Sequence, residues 1–324
     1  EIRLSLVGSE MCIRDRPYLA AIRLDELNTH TVQEFLNTLA ARGKKIPKRD
    51  ERGKIVKKDG KTVYDFVPLS PKTVKNVHGV LHGALRQAVI NRYIPLNPAD
   101  GDFCTLPKIE KQEINPLDEP QITAFLKAIQ GNEYEDIFIV TLFTGLREGE
   151  ILGLTWDCVD FDHGTLRINK QMQLHQEKGM KAYQLVPVKN SKNRTVTAAP
   201  FVMAQLRRHK VTQAEQRLRA GALWEASDLV FTNPFGRHLT KSTLYRAYKK
   251  VVASIGRPDA RFHDLRHSYA VAAIRSGDDI KTVQGNLGHA TAAFTLDTYG
   301  HVTNQMKQDS ADRMEAFIRS VSGS

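Results

Sequence analysis

No stretch of this chain stays apolar for the roughly 20 residues that crossing a bilayer as a helix requires. Cysteine is scarce. The three in 324 residues, Cys12, Cys104 and Cys158, are too scattered for a disulfide framework or a metal cluster. A reducing cytoplasm is the compartment that suits such usage. A Gly-rich phosphate loop is missing, as is a clustered carboxylate site for a divalent ion. Internal repeats and low-complexity tracts are missing too. The opening residues lack the continuous apolar centre and small-residue cleavage site of a secretory signal. Helical membrane proteins, disulfide-stapled secreted domains and P-loop enzymes are thereby set aside.

Positive charge is what the chain has in excess: 47 Lys and Arg against 36 Asp and Glu, a net +11. Phosphates reward each basic side chain by releasing counterions, so nucleic acid is a natural partner. Charge alone is equally compatible with a solvated basic surface. The length suits two domains.

Leu24–Ala41 has helical spacing, with Leu27, Val32, Phe35, Leu36 and Leu39 able to share a face. A lysine-rich stretch follows. Within it "KIVKKDGKTVYDF" reads as two short strands around an Asp59-Gly60 turn. Lys44–Phe66 holds nine Lys/Arg and four Asp/Glu, a net +5. It reads either as a solvated insertion or as a basic flap that touches DNA phosphates. "LSPKTVKNVHGVLHGALRQAVINRYI" predicts a helix with Ser70 as N-cap and Pro71 at its first position. Val74, Val77, Leu81, Ala84, Leu85 and Ala88 form its apolar stripe. Lys72, Lys75, Asn76, His82 and Arg86 crowd the other side, as a DNA-facing helix needs. Asp100–Asn115 reads as an interdomain linker.

After Pro116 the pattern is mainly helical. A β-like insert between Gly164 and Thr197 has "TLRIN", "YQLVPV" and "RTVTA" as strands. Helices are expected over Phe201–Ala220, Lys241–Ile255, Phe262–Ser276, Asp279–Gly285, Thr291–Tyr299 and Asn304–Val321. The fold class is therefore mainly α with a small antiparallel β insert.

Four clusters carry chemistry: "TGLREGEILGLTW" with Arg147, "VKNSKNRTV" with two lysines, "HDLRHSYA" with His263 and Arg266, and "LGHATAAFTLDTYGH" with His289 and Tyr299. Each has an ordinary structural reading alone: a surface ion pair, a hairpin lysine, a helix N-terminal histidine, a packed aromatic. Together and in this order, the "TGLR-x-GE", "H-x-LRH", "LGH" and "DTYGH" boxes resemble the tyrosine recombinases, particularly integrases of phages and integrative transposons. The resemblance runs from about Leu24 to Val321.

The resemblance implies a helical core-binding domain at 17–110, N-terminally truncated and carrying the basic hairpin insertion 44–67, and a tyrosine-recombinase catalytic domain at 116–324. It implies that Arg147 and Arg266 grip the scissile phosphate, that His263 and His289 are the second- and third-box histidines, and that Tyr299 is the nucleophile. The hairpin lysine aligns as Lys189, with Lys192 the alternative. Two guanidinium forks neutralise non-bridging oxygens in a way that lysine does not copy. Tyrosine needs help in losing its proton, for which His263 is the natural base, and the 5′-oxygen leaves only when protonated, which suits Lys189 as acid. No metal and no cofactor are implied. The implied setting is double-stranded DNA in the cytoplasm, on the nucleoid, with a tetramer on paired sites, an accessory directionality factor and no membrane. Glu150 is expected to support Arg147, Trp156 to be core, and His267 to face elsewhere on its helix. Competing readings are a type IB topoisomerase, which shares this chemistry, and a decayed integrase that only binds DNA.

Residues 1–16 fall outside the resemblance. "LVGSEMCIRDR" can be encoded by a transposase-based sequencing adapter ending in a mosaic end. The expectation is that 1–16 are translated adapter and that native sequence is missing before Pro17.

Overall fold

The computed structural model describes residues 18–110, 114–177, 180–188, 193–289, 291–299 and 303–322. The segment 1–16 lies outside them. The chain divides into two compact units, Glu1–Gln112 and Glu113–Ser324.

The first unit is a helix pair with a β flap between its members. Helix α1 (Thr29–Arg42) starts later than the hydrophobic spacing predicts, because the Asn28 side chain accepts the Thr31 N–H and caps it there. The flap follows, with strands β1 (Lys44–Pro47), β2 (Lys57–Lys58), β3 (Lys61–Thr62) and β4 (Tyr64–Val67). β1 pairs antiparallel with β4, and β2 with β3. Asp59 and Gly60 both have positive φ, 51° and 74°, as a two-residue hairpin turn requires. Helix α2 (Pro71–Ile90) begins at the Ser70 cap with Pro71 in its first turn. Val32, Phe35, Leu36 and Leu39 of α1 are buried in one cluster with Val74, Val77, Leu81 and Leu85 of α2. Each such side chain contributes roughly 1.5–3 kcal/mol. His78 joins this buried face, its Nε2 2.7 Å from the Ala99 carbonyl.

The second unit is helical around a small β layer. Its helices are α3 (Glu119–Ala128), α4 (Glu135–Thr144), α5 (Glu148–Leu152), α6 (Pro200–Ala220), α7 (Lys241–Ser254), α8 (Asp264–Arg275), α9 (Ile280–Leu287), α10 (Ala292–Tyr299) and α11 (Thr303–Ser322). Strands β5 (Val159–Asp160), β6 (Thr165–Ile168) and β9 (Arg194–Thr197) form an antiparallel sheet in the order β5-β6-β9, and β7 (Lys170–Glu177) pairs with β8 (Met180–Pro187). The chain is mainly α with small antiparallel sheets, as expected. β7 was not anticipated. Its "KQMQLHQE" has no β-branched residue, and of its apolar pair only Met172 is buried while Leu174 is exposed. α4 is apolar all round, with seven of its ten residues buried, and it forms the centre of the main core. A smaller cluster of Ala270, Ile274, Val283, Leu287 and Tyr299 ties α8, α9 and α10 together. These three helices and the turn after α4 frame the site.

Candidate active site

α4 ends at Gly145, whose φ of 65° is left-handed. A side chain there would also collide with Tyr269 and with Leu287 Cδ2, at 2.8 Å. The chain turns and Arg147 caps the short α5. Glu150, on the first turn of α5 and 2% exposed, collects four donors. Arg147 gives its backbone N–H (2.9 Å) and Nη1 (2.7 Å), and Arg194 of β9 forks onto both oxygens at 2.9 and 2.6 Å. Burial alone would raise this carboxyl. The Arg194 fork and its charge, then Arg147, outweigh it and hold the group at about 2. Arg194 also donates through Nε to the Asn286 carbonyl, 2.7 Å away.

The C-terminal end of α9 meets two further guanidinium contacts. Arg266 of α8, 2% exposed, donates to the Gly145 carbonyl (2.7 Å) and the Leu287 carbonyl (2.6 Å). Arg147 Nη2 donates to the next carbonyl, Gly288, at 3.0 Å. Gly288 has φ 63° and ψ 44°, which turns the chain so that these last carbonyls face the cations. Burial, and then the Arg147 charge, lowers Arg266 to about 9, so it stays cationic at neutral pH. Arg147 keeps 40% of its side chain exposed. It is the arginine of this site open to a ligand, with Glu150 and the Gly288 carbonyl fixing its plane.

Imidazoles line the same end. His289 follows the α9 cap, its Nδ1 3.0 Å from Thr295 Oγ1. Burial, then Arg266 and Arg147, pushes it down to about 3. His263 stands at the N-terminus of α8 with an edge open to solvent. Surrounding protein, and then the charges of His267 and Arg266, lower it well below the usual imidazole value. One turn on, the His267 ring centroid lies 4.9 Å from that of His263. His267 Nδ1 is 2.7 Å from Tyr299 Oη, and burial lowers His267 as well. Tyr299 is 1% exposed at the end of α10, and burial raises its phenol to about 12 against the pull of Arg266. A protonated phenol therefore faces a neutral imidazole that can accept its proton, in a site where three arginines outnumber the Glu150 carboxylate.

The structure thus brings together Arg147, Arg266, His263, His289 and Tyr299. Lys189 and Lys192 lie outside the described residues, as does His301. One expectation needs correcting: His267 does not face elsewhere but holds the Tyr299 hydroxyl. Its i,i+4 relation to His263 put both on one face of α8 and was the signal for it. Arg194 was also missed, since its partner Glu150 is 44 positions away. Glu150 supports Arg147 as expected, while the half-buried Trp156 donates to Gln213 Oε1 at 2.7 Å and stacks on Phe161. On α2 of the first unit Lys72, Asn76 and Arg86 are exposed, and Lys75 and His82 half-buried.

The pattern of the phage integrase family matches residues 115–306, a span that holds every residue of the site described above. The chain belongs to the phage integrase family. A "Tyrosine recombinase XerC-like" protein of Caldanaerobacter subterraneus subsp. tengcongensis is 32% identical over 264 residues, covering 77% of this chain and 67% of the relative. The ICEBs1 integrase of Bacillus subtilis is 26% identical over 252 residues, with the same coverages. Among solved structures, the Tn1549 transposon integrase in complex with a circular intermediate DNA superposes with a TM-score of 0.68 at 20% identity, covering 93% of this chain and 90% of that one. That likeness establishes the shared fold. As a member of this family, the chain is a tyrosine recombinase, a DNA strand-transferring enzyme. No helix among its described residues is long and apolar enough to cross a membrane.

Proposed function

We propose that this integrase-family protein integrates and excises a mobile element by cutting and rejoining duplex DNA through a 3′-phosphotyrosyl intermediate. The observation that carries the reading is the convergence of Arg147, Arg266 and His289 on the α9 terminus, with the Tyr299 hydroxyl bonded to an imidazole nearby. In the proposed step Tyr299 Oη bonds to phosphorus as the bond to the 5′-oxygen breaks. The phenol proton passes to an imidazole, His267 in the arrangement seen or His263 beside it. The 5′-oxygen takes a proton from the hairpin lysine, Lys189 or its alternative Lys192. Arg147 and Arg266 balance the added charge on the non-bridging oxygens, and His289 donates a hydrogen bond to one of them. The phosphotyrosyl bond keeps about the energy of the bond it replaced, so a 5′-hydroxyl of a partner strand reverses the step without ATP.

The first unit serves in this proposal as the core-binding domain, with Lys72, Lys75, Asn76, His82 and Arg86 of α2 on the DNA. Paired sites call for a tetramer, with an accessory directionality factor, acting on the nucleoid. The exposed Met314, Phe317, Ile318 and Val321 of α11 support exchange of that helix with a neighbouring protomer. The decisive experiment uses duplexes covering the genomic DNA that flanks the gene. The wild type is expected to yield a covalent protein–DNA adduct on denaturing gels. Tyr299→Phe is expected to yield none while binding the same duplexes almost unchanged. An adduct surviving in Tyr299→Phe would remove Tyr299 as the nucleophile.

A further inference from the structure

The flap between α1 and α2 has no part in the chemistry above, yet it holds a large share of the chain's charge. Lys44–Phe66 contributes a net +5 to a chain total of +11. All nine of its Lys and Arg residues are exposed. Among the described residues none of these cations makes an ion pair with a carboxylate. Of the four acids, Asp50 is already used inside the flap, where its Oδ1 accepts the backbone N–H groups of Arg52 (3.0 Å) and Lys54 (2.8 Å) and so shapes the first turn.

The register makes the charge costly. At the Asp59-Gly60 turn, Lys58 pairs directly with Lys61, and Lys57 stands one position before it, opposite Thr62. Like charges directly across a strand pair repel, and Asp59 at the turn offsets only part of this. A hairpin that needed only solubility could place one carboxylate opposite one lysine. This one instead presents a compact cationic tip that an external anion would relieve. Further down, Lys45 and Phe66 are partners, as are Pro47 and Tyr64, so Lys45, Tyr64 and Phe66 share one face of the β1–β4 ribbon. Lys45 Nζ sits 4.0 Å from the centre of the Tyr64 ring. Phe66 is 57% exposed and Tyr64 39%. A cationic tip above an exposed aromatic face is the chemistry of a nucleic-acid surface: the cations take phosphates, and the rings take sugar edges.

We infer that the flap at 44–67 is a second DNA-contacting element, which clamps the sugar–phosphate backbone of duplex DNA without reading its sequence. This rests on the reading of the chain as a DNA strand transferase. Because phosphate contacts carry no sequence information, a random-sequence duplex is a sufficient probe. Fluorescence anisotropy of the full chain, measured from about 50 to 200 mM salt, gives the slope of log affinity against log salt. Replacing Lys57, Lys58 and Lys61 by Gln is expected to flatten that slope by about 2 to 3 units, near 0.9 for each phosphate no longer neutralised. Replacing the same three by Arg is expected to restore it. An unchanged slope in the Gln variant overturns the inference, as does wild-type binding to anionic phospholipid vesicles without any difference between the variants on the duplex. The adduct assay keeps the two readings apart. A wild type that forms no adduct on any duplex sinks the recombinase reading and leaves the slope comparison intact, whereas an unchanged slope with normal adduct formation sinks the flap alone.

Discussion

The flap and the catalytic pocket are both rich in cations and treat them in opposite ways. In the pocket Arg266 is buried and Arg194 half-buried, and each of their bonds runs to a carboxylate or a backbone carbonyl. In the flap the lysines stand in solvent, and two of them face each other across a turn. Buried charge must be paired, and its geometry is fixed before any ligand arrives. Exposed charge costs nothing to desolvate and acts through its field, which salt screens. The first arrangement suits a transition state that lasts an instant, and the second suits a long, mobile polyanion.

That contrast breaks most sharply at Glu150. If its buried carboxylate is what anchors Arg147 and Arg194, Glu150→Gln should lower unfolding free energy by about 3–5 kcal/mol, the usual cost of removing one partner from a buried ion pair. Urea denaturation of the full chain measures it, and a loss below about 1 kcal/mol would put Glu150 with ordinary surface pairs. Next comes Arg266→Lys, which keeps the charge and removes the fork. Single-turnover cleavage is expected to fall by about 10²–10³, equal to 2.7–4 kcal/mol. Binding of the random duplex should hold. Cleavage within a few fold of the wild type would mean that Arg266 serves as a plain charge, as the flap lysines do.

Acid probes the same carboxylate and gives the clearest sign. Glu150 sits at about 2 in the fold against an ordinary 4.5. Its stabilisation is therefore complete above pH 4.5 and is lost as pH falls towards 2, about 3 kcal/mol in all. His289, lowered to about 3 from 6.5, binds its proton more readily in the unfolded chain, so the decline starts below about pH 6.5. Urea midpoints followed down the pH scale should show both limbs, and Glu150→Gln should abolish the lower one. A flat profile between pH 6.5 and 3 would overturn the account.

Much of this was legible in the sequence where the signal is local. Ser70-Pro71 marks the start of α2 because a cap and a fixed φ need only two neighbouring residues. The Asp59-Gly60 turn is equally local. The boxes around Arg147, Arg266, His289 and Tyr299 are short runs whose residue types the chemistry dictates. Contacts between distant segments were not legible. Arg194 reads as one more hairpin cation until β9 brings it to Glu150. His267 reads as a bystander until α10 lays Tyr299 against it. β7 escaped because it is held by pairing with β8 along its whole length, Lys170 to Glu177 against Pro187 to Met180, and not by apolar alternation of its own.

The bond between Tyr299 and His267 has a consequence for the enzyme at rest. A cell holds millions of phosphodiesters and very few correct sites. A nucleophile left open beside two arginines could nick whichever backbone drifted past. Buried and tethered to an imidazole, the Tyr299 hydroxyl is shielded from solvent in this arrangement. If Tyr299 is the nucleophile as proposed, the contact that sets a proton acceptor beside its phenol also serves as a safety catch against accidental breaks.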